Sequence, residues 1–315
     1  KRSHIILNPA PGKMEPILPI NNEETKAAGV EWEVSVTKEA GDGPVMAKEA
    51  IKKGVDVIAV YGGDGTVMEV ATGMMGSDVP LAILPGGSAN VLATELGISK
   101  NLREACKALA GPVEVRTIDA GQFNKRYFVL RMGLGFEADM MKAADRKTKN
   151  KFGNFAYVFS ALTAYRQLQE ARYTLKIDGE EFKVKGFTCI IANSGSVGFT
   201  DLSLDKNITV DDGLLDVIVV RQVNFSLFAH VIATLFKRER AERRELVRHW
   251  QGKDIQVSSH PRQIAQCDGE VLGKVPLQAK VVPAAIHMLV PKKQEVPAPA
   301  DPVLSEQSTP LPVSP

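Results

Sequence analysis

Tyr61-Gly62-Gly63-Asp64-Gly65-Thr66 is the stretch of this chain best equipped for chemistry. Its three glycines lack the Cβ atoms that would keep a ligand off the backbone. The freed N–H groups, with the N-terminus of a following helix, suit a phosphate. Asp64 stands among them, and its own charge repels phosphate. A carboxylate there is useful if it holds a metal ion on the phosphates, accepts a hydroxyl proton, or binds a sugar hydroxyl. The other reading is a tight strand-to-helix turn without a ligand. A second glycine loop, Pro85-Gly86-Gly87-Ser88-Ala89-Asn90, follows. Ser88 suits the cap of a helix over Ala89–Leu96, or can present its hydroxyl and N–H to phosphate. Asn8-Pro9-Ala10-Pro11-Gly12-Lys13 is a turn-rich loop after the first strand, where open α/β sheets bind ligands. Asp211-Asp212-Gly213, with Asp216, can gather oxygens around a hard cation, or simply start a strand. Asp268-Gly269-Glu270 reads equally as a turn or as a carboxylate pair for proton transfer.

These residues need elements to position them. Val55–Val60 and Pro80–Leu84 are short, apolar runs, the pattern of buried strands in a parallel sheet. Ile5–Leu7 and the alternating Glu31–Thr37 are strands too, and Gly41–Pro44 opens a helix. A helix is expected after Pro16 and Pro19, another from Val67, and one over 101–110 before a strand at Val113–Ile118. Alternating strands and helices predict a parallel α/β sheet in residues 1–121. From Gln122 the texture changes to many short strands: Arg126–Met132, Tyr173–Asp178, Glu181–Lys185, Phe187–Ala192, Leu215–Arg221, Asp254–Ser258 and Lys280–Val282. Asp178-Gly179 reads as a hairpin turn. An antiparallel β-sandwich over 122–291 is the expectation, interrupted by helices at Phe152–Glu170 and Phe225–Trp250. The second helix is apolar first and then basic, a pattern for anionic lipid or for a packed helix with a solvated end. Residues 292–315 are Pro-rich and expected to be a disordered tail.

Length and composition set the bounds. The 315 residues suggest two domains, and 44% hydrophobic with 24% charged residues is an ordinary globular balance. A formal net charge of +2 gives no nucleic-acid signature, and nucleic acid is not an expected partner. Cys106, Cys189 and Cys267 are far apart, which fits a reducing compartment and no zinc site. No run approaches the roughly 20 apolar residues of a membrane span. The chain opens on Lys1-Arg2-Ser3-His4 and runs into a strand, so no signal peptide is expected and a cytoplasmic location is.

Taken together, Gly62–Thr66, Leu84–Asn90 with Leu96-Gly97-Ile98, Asp211–Asp216 and Cys267–Glu270 resemble the diacylglycerol kinase catalytic-domain family. The bacterial lipid kinases and the sphingosine kinases belong to it. The likeness covers about residue 4 to residue 291. The first loop is also similar to those of NAD kinases and phosphofructokinases. The resemblance implies an N-terminal α/β domain, a C-terminal β-sandwich, and ATP between them. It carries Asn8, Pro9, Ala10, Pro11 and Gly12 to the first nucleotide loop, and Thr37 to the end of the second strand. Gly62, Gly63, Asp64, Gly65 and Thr66 match the main phosphate loop, and Ser88 a hydroxyl position. Asp212 with the backbone oxygens of Thr209 and Leu214 resembles a Mg2+ site, and Asp268 and Glu270 the acid–base segment. Pro11, Met68 and Val91 depart from residues common in the family, Ser, Asn and Asp respectively. Asp64 remains a rival to Asp268 as base. The implied activity is an ATP- and Mg2+-dependent lipid kinase acting on diacylglycerol or a relative at a membrane surface, with peripheral contact and a homodimer admitted. The alternatives are an NAD kinase-type metabolite kinase, whose Asn-Glu adenosine motif is missing, and an inactive binding module.

Overall fold

The computed structural model describes residues 1–9, 15–26, 28–135, 169–199, 202–203, 208–221, 247–268 and 270–292. The expected nucleotide-loop residues Ala10, Pro11 and Gly12, the helix expected at 152–168, the basic helix expected at 225–246 and the tail from 293 lie outside them. The first half alternates as its sequence pattern requires. Strands β1 (Arg2–Leu7), β2 (Glu31–Val36), β3 (Val57–Gly62) and β4 (Leu81–Pro85) alternate with helices α1 (Ile17–Lys26), α2 (Asp42–Lys52) and α3 (Asp64–Met74). Then come α4 (Val91–Glu95), α5 (Leu102–Ala110) and β5 (Val113–Phe123). β1 pairs parallel with both β2 and β3, and β3 with β4. Every residue of β3 and β4 is buried, which is why they read as unbroken apolar runs. Helix α5 is capped by Asn101, whose side chain accepts from the Glu104 amide.

The second half is antiparallel. Its strands are β6 (Arg126–Phe128), β7 (Arg131–Gly135), β8 (Ala171–Ile177), β9 (Glu180–Gly186) and β10 (Thr188–Ala192). They continue with β11 (Ser196–Phe199), β12 (Leu202–Ser203), β13 (Leu215–Val220), β14 (Val247–Gly252) and β15 (Asp254–His260). The last three are β16 (Ile264–Cys267), β17 (Glu270–Lys274) and β18 (Leu277–Pro291). One sheet runs β14-β13-β10-β7-β16-β17. It faces the far end of the long sheet β2-β1-β3-β4-β18-β15-β8-β9, and their inner residues form one core, with Tyr173, Leu175, Cys189, Val217 and Ile255 fully buried or nearly so. All three cysteines are buried and free.

β18 joins the two halves. Its first residues pair with β15, while Met288 pairs parallel with Leu81 of β4. From Ala279 to Pro291 it pairs antiparallel with β5, with one irregularity between Val282 and Ile286. β5 and β18 therefore run through both halves, and the chain position 121/122 falls within β5.

Three sequence readings change. The strand expected over Arg126–Met132 is broken by a bend at Val129 and Leu130, where the Val129 amide donates to the Asp268 carboxylate. Val247–Trp250 was expected to close a long helix and instead lies in β14, paired with β13 from Val220 to Leu215. An open strand edge supplies hydrogen bonds that outweigh helix periodicity. The helix expected from Ala89 starts at Val91, and Ser88 does not cap it.

Candidate active site

The parallel register sets the loops side by side. Leu7 stands level with Val36 and Tyr61, Tyr61 with Leu84, and Gly62 with Pro85. One further rung extends past the strands: Asn8 N donates to Tyr61 O, Thr37 N to Leu7 O, and Gly86 N to Gly62 O, each at 2.9 Å. Asn8, Thr37, Gly62 and Gly86 thus mark one edge, the carboxyl end of the sheet. Asn8 Nδ2 donates to Thr66 Oγ1 at 2.8 Å, so the first loop is tied to the first turn of α3. Pro9 is exposed beside it, and Thr37 is buried with its hydroxyl toward Leu7 O.

The two glycine loops touch backbone to backbone. A Cβ on Gly87 would lie 2.5 Å from Gly63 Cα, so no side chain fits there. Neither Gly62, Gly63 nor Gly65 has positive φ, so these glycines supply space rather than handedness. Around Gly65 a Cβ would meet nothing within 4 Å, and the residue is exposed at the start of α3. That is open volume next to a helix N-terminus, where an anion is stabilised. Ser88 is exposed at the crown of the second loop. Asn90 braces that loop from below, with Gly87 N donating to Oδ1 at 3.0 Å and Nδ2 donating to Gly87 O at 2.8 Å.

Asp64 has a partner that its local sequence does not reveal. Its Oδ1 accepts from Val91 N at 2.7 Å and Leu92 N at 3.4 Å, the first amides of α4. The cap expected from Ser88 comes instead from a residue 27 positions away. Burial raises the Asp64 pKa above the ordinary carboxylate value, and the α4 amides oppose that rise.

Asp268 sits in the turn between β16 and β17, where Cys267 pairs with Glu270. Its φ is +42°, the left-handed region that Asp tolerates better than most residues. Its Oδ1 accepts from Arg131 N at 2.9 Å and its Oδ2 from Val129 N at 3.3 Å, while its own N donates to Arg131 O. Burial pushes its pKa up to about 6, with those amides and the Arg131 charge pulling the other way. A carboxylate poised there can hold a proton near neutral pH. Glu270 opens β17, beyond the turn rather than on a strand face shared with Asp268.

The acidic loop lies between β12 and β13. Asp212 Oδ1 accepts from Leu214 N at 3.0 Å. Burial raises its pKa, and the charges of Asp216 and Asp119 add to the rise, against the Leu214 amide and the Thr209 hydroxyl. Asp211 and Asp216 are committed elsewhere, Asp211 to Arg116 Nε at 2.8 Å and the fully buried Asp216 to His249 Nε2 at 2.6 Å. Asp119, which sequence reading passed over, is buried and accepts from Gly213 N at 2.6 Å and from Ala284 N at 2.8 Å. The second bond falls at the irregularity of β18, so Asp119 ties the acidic loop to the strands shared by both halves. Among the described residues, no three His, Cys, Asp or Glu side chains converge as a metal cage would require.

Sequence reading also missed Asn90, Glu95, Arg131 and Asn193. Asn90 carried a signal, since a left-handed position before a helix favours Asn, and its φ is +50°. Asn193 donates from Nδ2 to Asp119 O and Val129 O, both at 3.0 Å, and is fully buried. Nothing local marks such a residue.

Two family models match. Residues 2–123 match the diacylglycerol kinase catalytic domain, and residues 131–290 the YegS C-terminal NAD kinase beta sandwich-like domain. The chain is 28% identical to the diacylglycerol kinase of Bacillus subtilis (strain 168) over 301 residues, 93% of this chain and 98% of that one. It is 29% identical over 306 residues to an uncharacterised protein of Synechocystis sp., 92% of this chain and 70% of that protein. The crystal structure of a diacylglycerol kinase from Bacillus anthracis str. Sterne superposes with a TM-score of 0.70 at 24% identity, covering 92% of this chain and 96% of that one. A second Bacillus anthracis crystal structure reaches a TM-score of 0.76 at 26% identity with the same coverage.

Proposed function

Because the chain belongs to the diacylglycerol kinase catalytic-domain family, we propose that it transfers the γ-phosphoryl group of ATP to a hydroxyl of diacylglycerol or a related lipid. The observation that carries this reading is Asp268, a half-buried carboxylate held by two backbone amides with its pKa pushed up to about 6, alongside two packed glycine loops. Residues 1–121 bind the nucleotide and residues 122–291 the lipid. Gly62–Thr66 and Gly86–Ser88 supply N–H groups and open volume for the phosphates, and Asn8 holds Thr66 in place beside them. Asp64 keeps the loops together through α4. Asp268 takes the proton of the lipid hydroxyl as the new P–O bond forms. Glu270 follows it in the same hairpin.

A Mg2+ ion, when bound, would supply neutralisation of the charge that develops on the transferred group. The Asp212 loop fits a hard cation in one respect: burial, and after it the charges of Asp216 and Asp119, raise the Asp212 pKa, so a cation there would relieve carboxylate charge held close together. Asp212 with the carbonyls of Thr209 and Leu214 would hold it, the remaining positions going to water. Among the described residues no helix is long and apolar enough to cross a membrane. The lipid acceptor is met by peripheral contact at the membrane surface.

The test is incubation with labelled ATP, Mg2+ and a panel of lipid micelles, followed by counting label in the organic phase. Label there is the expected result. Label appearing on NAD instead, with none in lipid, would move the chain to the NAD kinase-type reading. Label on neither would leave a binding module.

A further inference from the structure

Helix α4 is held at both ends by side-chain carboxylates, and the second one is unexplained by the chemistry above. Glu95 is its last residue. An acidic residue at a helix C-terminus faces the negative end of the helix dipole, so Glu95 does not serve the helix itself. Its Oε2 instead accepts from Ser194 Oγ and from Ser196 N, both at 2.7 Å. Ser194 and Ser196 belong to the sandwich half and are 1% and 8% exposed. Both partners are therefore sequestered from water, and the two bonds to a charged acceptor are of the stronger kind.

From there the connections run straight to Asp268. Asn193 N and Ser194 N both donate to Leu130 O, at 2.9 and 3.1 Å. The next residue, Arg131, gives its amide to Asp268 Oδ1 and its Nη1 to Ser196 O at 3.1 Å. At the other end of α4, Val91 and Leu92 donate to Asp64 in the phosphate loop. Val91, Leu92 and Ala93 are buried, so the helix is packed and cannot swing freely. Five residues of helix span about 7 Å.

We propose that Glu95 is a positioning residue: through α4 it fixes the distance between the phosphate loop at Asp64 and the carboxylate of Asp268. This rests on the phosphoryl-transfer reading. Glu95 touches neither phosphate nor acceptor in this role. It holds two halves of a site in register, and a displacement of about 1 Å there can cost about a hundredfold in rate.

The experiment compares the parent with Glu95→Ala and Glu95→Gln, using ATP, Mg2+ and diacylglycerol micelles. Glu95→Ala is expected to lower kcat roughly 10- to 100-fold, with calorimetric ATP affinity within about twofold of the parent, since the proposed phosphate loops of residues 1–121 stay intact. Glu95→Gln keeps an acceptor oxygen for Ser196 N and is expected to recover most of the rate. Parental kcat in Glu95→Ala, or a Gln variant as slow as the Ala variant, would overturn the proposal while leaving the kinase reading intact. A parent that labels no lipid would overturn the kinase reading, and the latch is then judged by amide hydrogen exchange without ligand. Faster exchange at both 91–96 and 193–196 in Glu95→Ala supports the connection; unchanged exchange at 193–196 removes it.

Discussion

Asp64 and Asp268 are two aspartates that accept backbone amides, one in each half of the molecule, and the same bonding serves different ends. Asp64 accepts the amides of a helix that belongs to its own half, and joins two loops that both line the sheet edge. Asp268 accepts the amides of a broken strand from a turn, with φ at +42° and its pKa near 6. One carboxylate closes a scaffold. The other, under the proposed phosphoryl transfer, takes the proton of the acceptor hydroxyl. Residue type and amide bonding alone do not separate the two; what separates them is whether the element carrying the carboxylate is regular or strained, and what its bonds hold together.

The largest expected effect is on Asp268. Asp268→Asn should lower kcat by roughly two to four orders of magnitude with ATP affinity nearly unchanged. The parent should lose activity below about pH 6 as Asp268 protonates, and that acid limb should vanish from the residual activity of the variant. The same raised pKa has a stability consequence. Ionising Asp268 costs folding free energy, a cost absent below about pH 4, where the unfolded carboxylate is protonated too, and complete above about 6. If Asp268→Asn turns over normally and Asp64→Asn is inert with normal ATP affinity, the contrast is inverted and Asp64 is the base.

Asp64→Ala removes the α4 cap. A loss of about 1–2 kcal/mol is expected, seen as a lower Tm, with a fall of about tenfold in ATP affinity as the two loops part. Unchanged Tm would mean that α4 does not depend on that bond.

Gly87 and Gly65 sharpen the comparison within the phosphate half. Gly87→Ala drives a methyl group against Gly63 and should cost about 1–3 kcal/mol of stability. Gly65→Ala meets no protein atom and should leave the Tm unchanged while weakening ATP binding in calorimetry. Equal ATP affinity in Gly65→Ala would mean that the open volume holds no phosphate.

Asp212→Ala is the smallest case. Mg2+ at about ten times its Kd should stabilise the parent by about 1.4 kcal/mol and the variant by much less. A shift that persists undiminished in differential scanning calorimetry would place the ion elsewhere.

Much of this architecture was legible in the chain itself. β3 and β4 announce themselves as apolar runs, the Asp178-Gly179 turn as a hairpin, and the glycine loops as strand-to-helix passages at the carboxyl edge. Those signals are local: side-chain period and the φ preferences of Gly, Asn and Asp act over a few residues. The family resemblance also came from short motifs, and the family matches cover both halves of the chain. What only the tertiary structure decided lies across long separations. Asp64 rather than Ser88 caps α4, Glu95 meets Ser194 and Ser196, and Val247–Gly252 extends a sheet edge where periodicity pointed to a helix. Such pairings exist only once the sheets bring distant residues within hydrogen-bond range. A carboxylate carries no mark in its own neighbourhood of the amide it will accept.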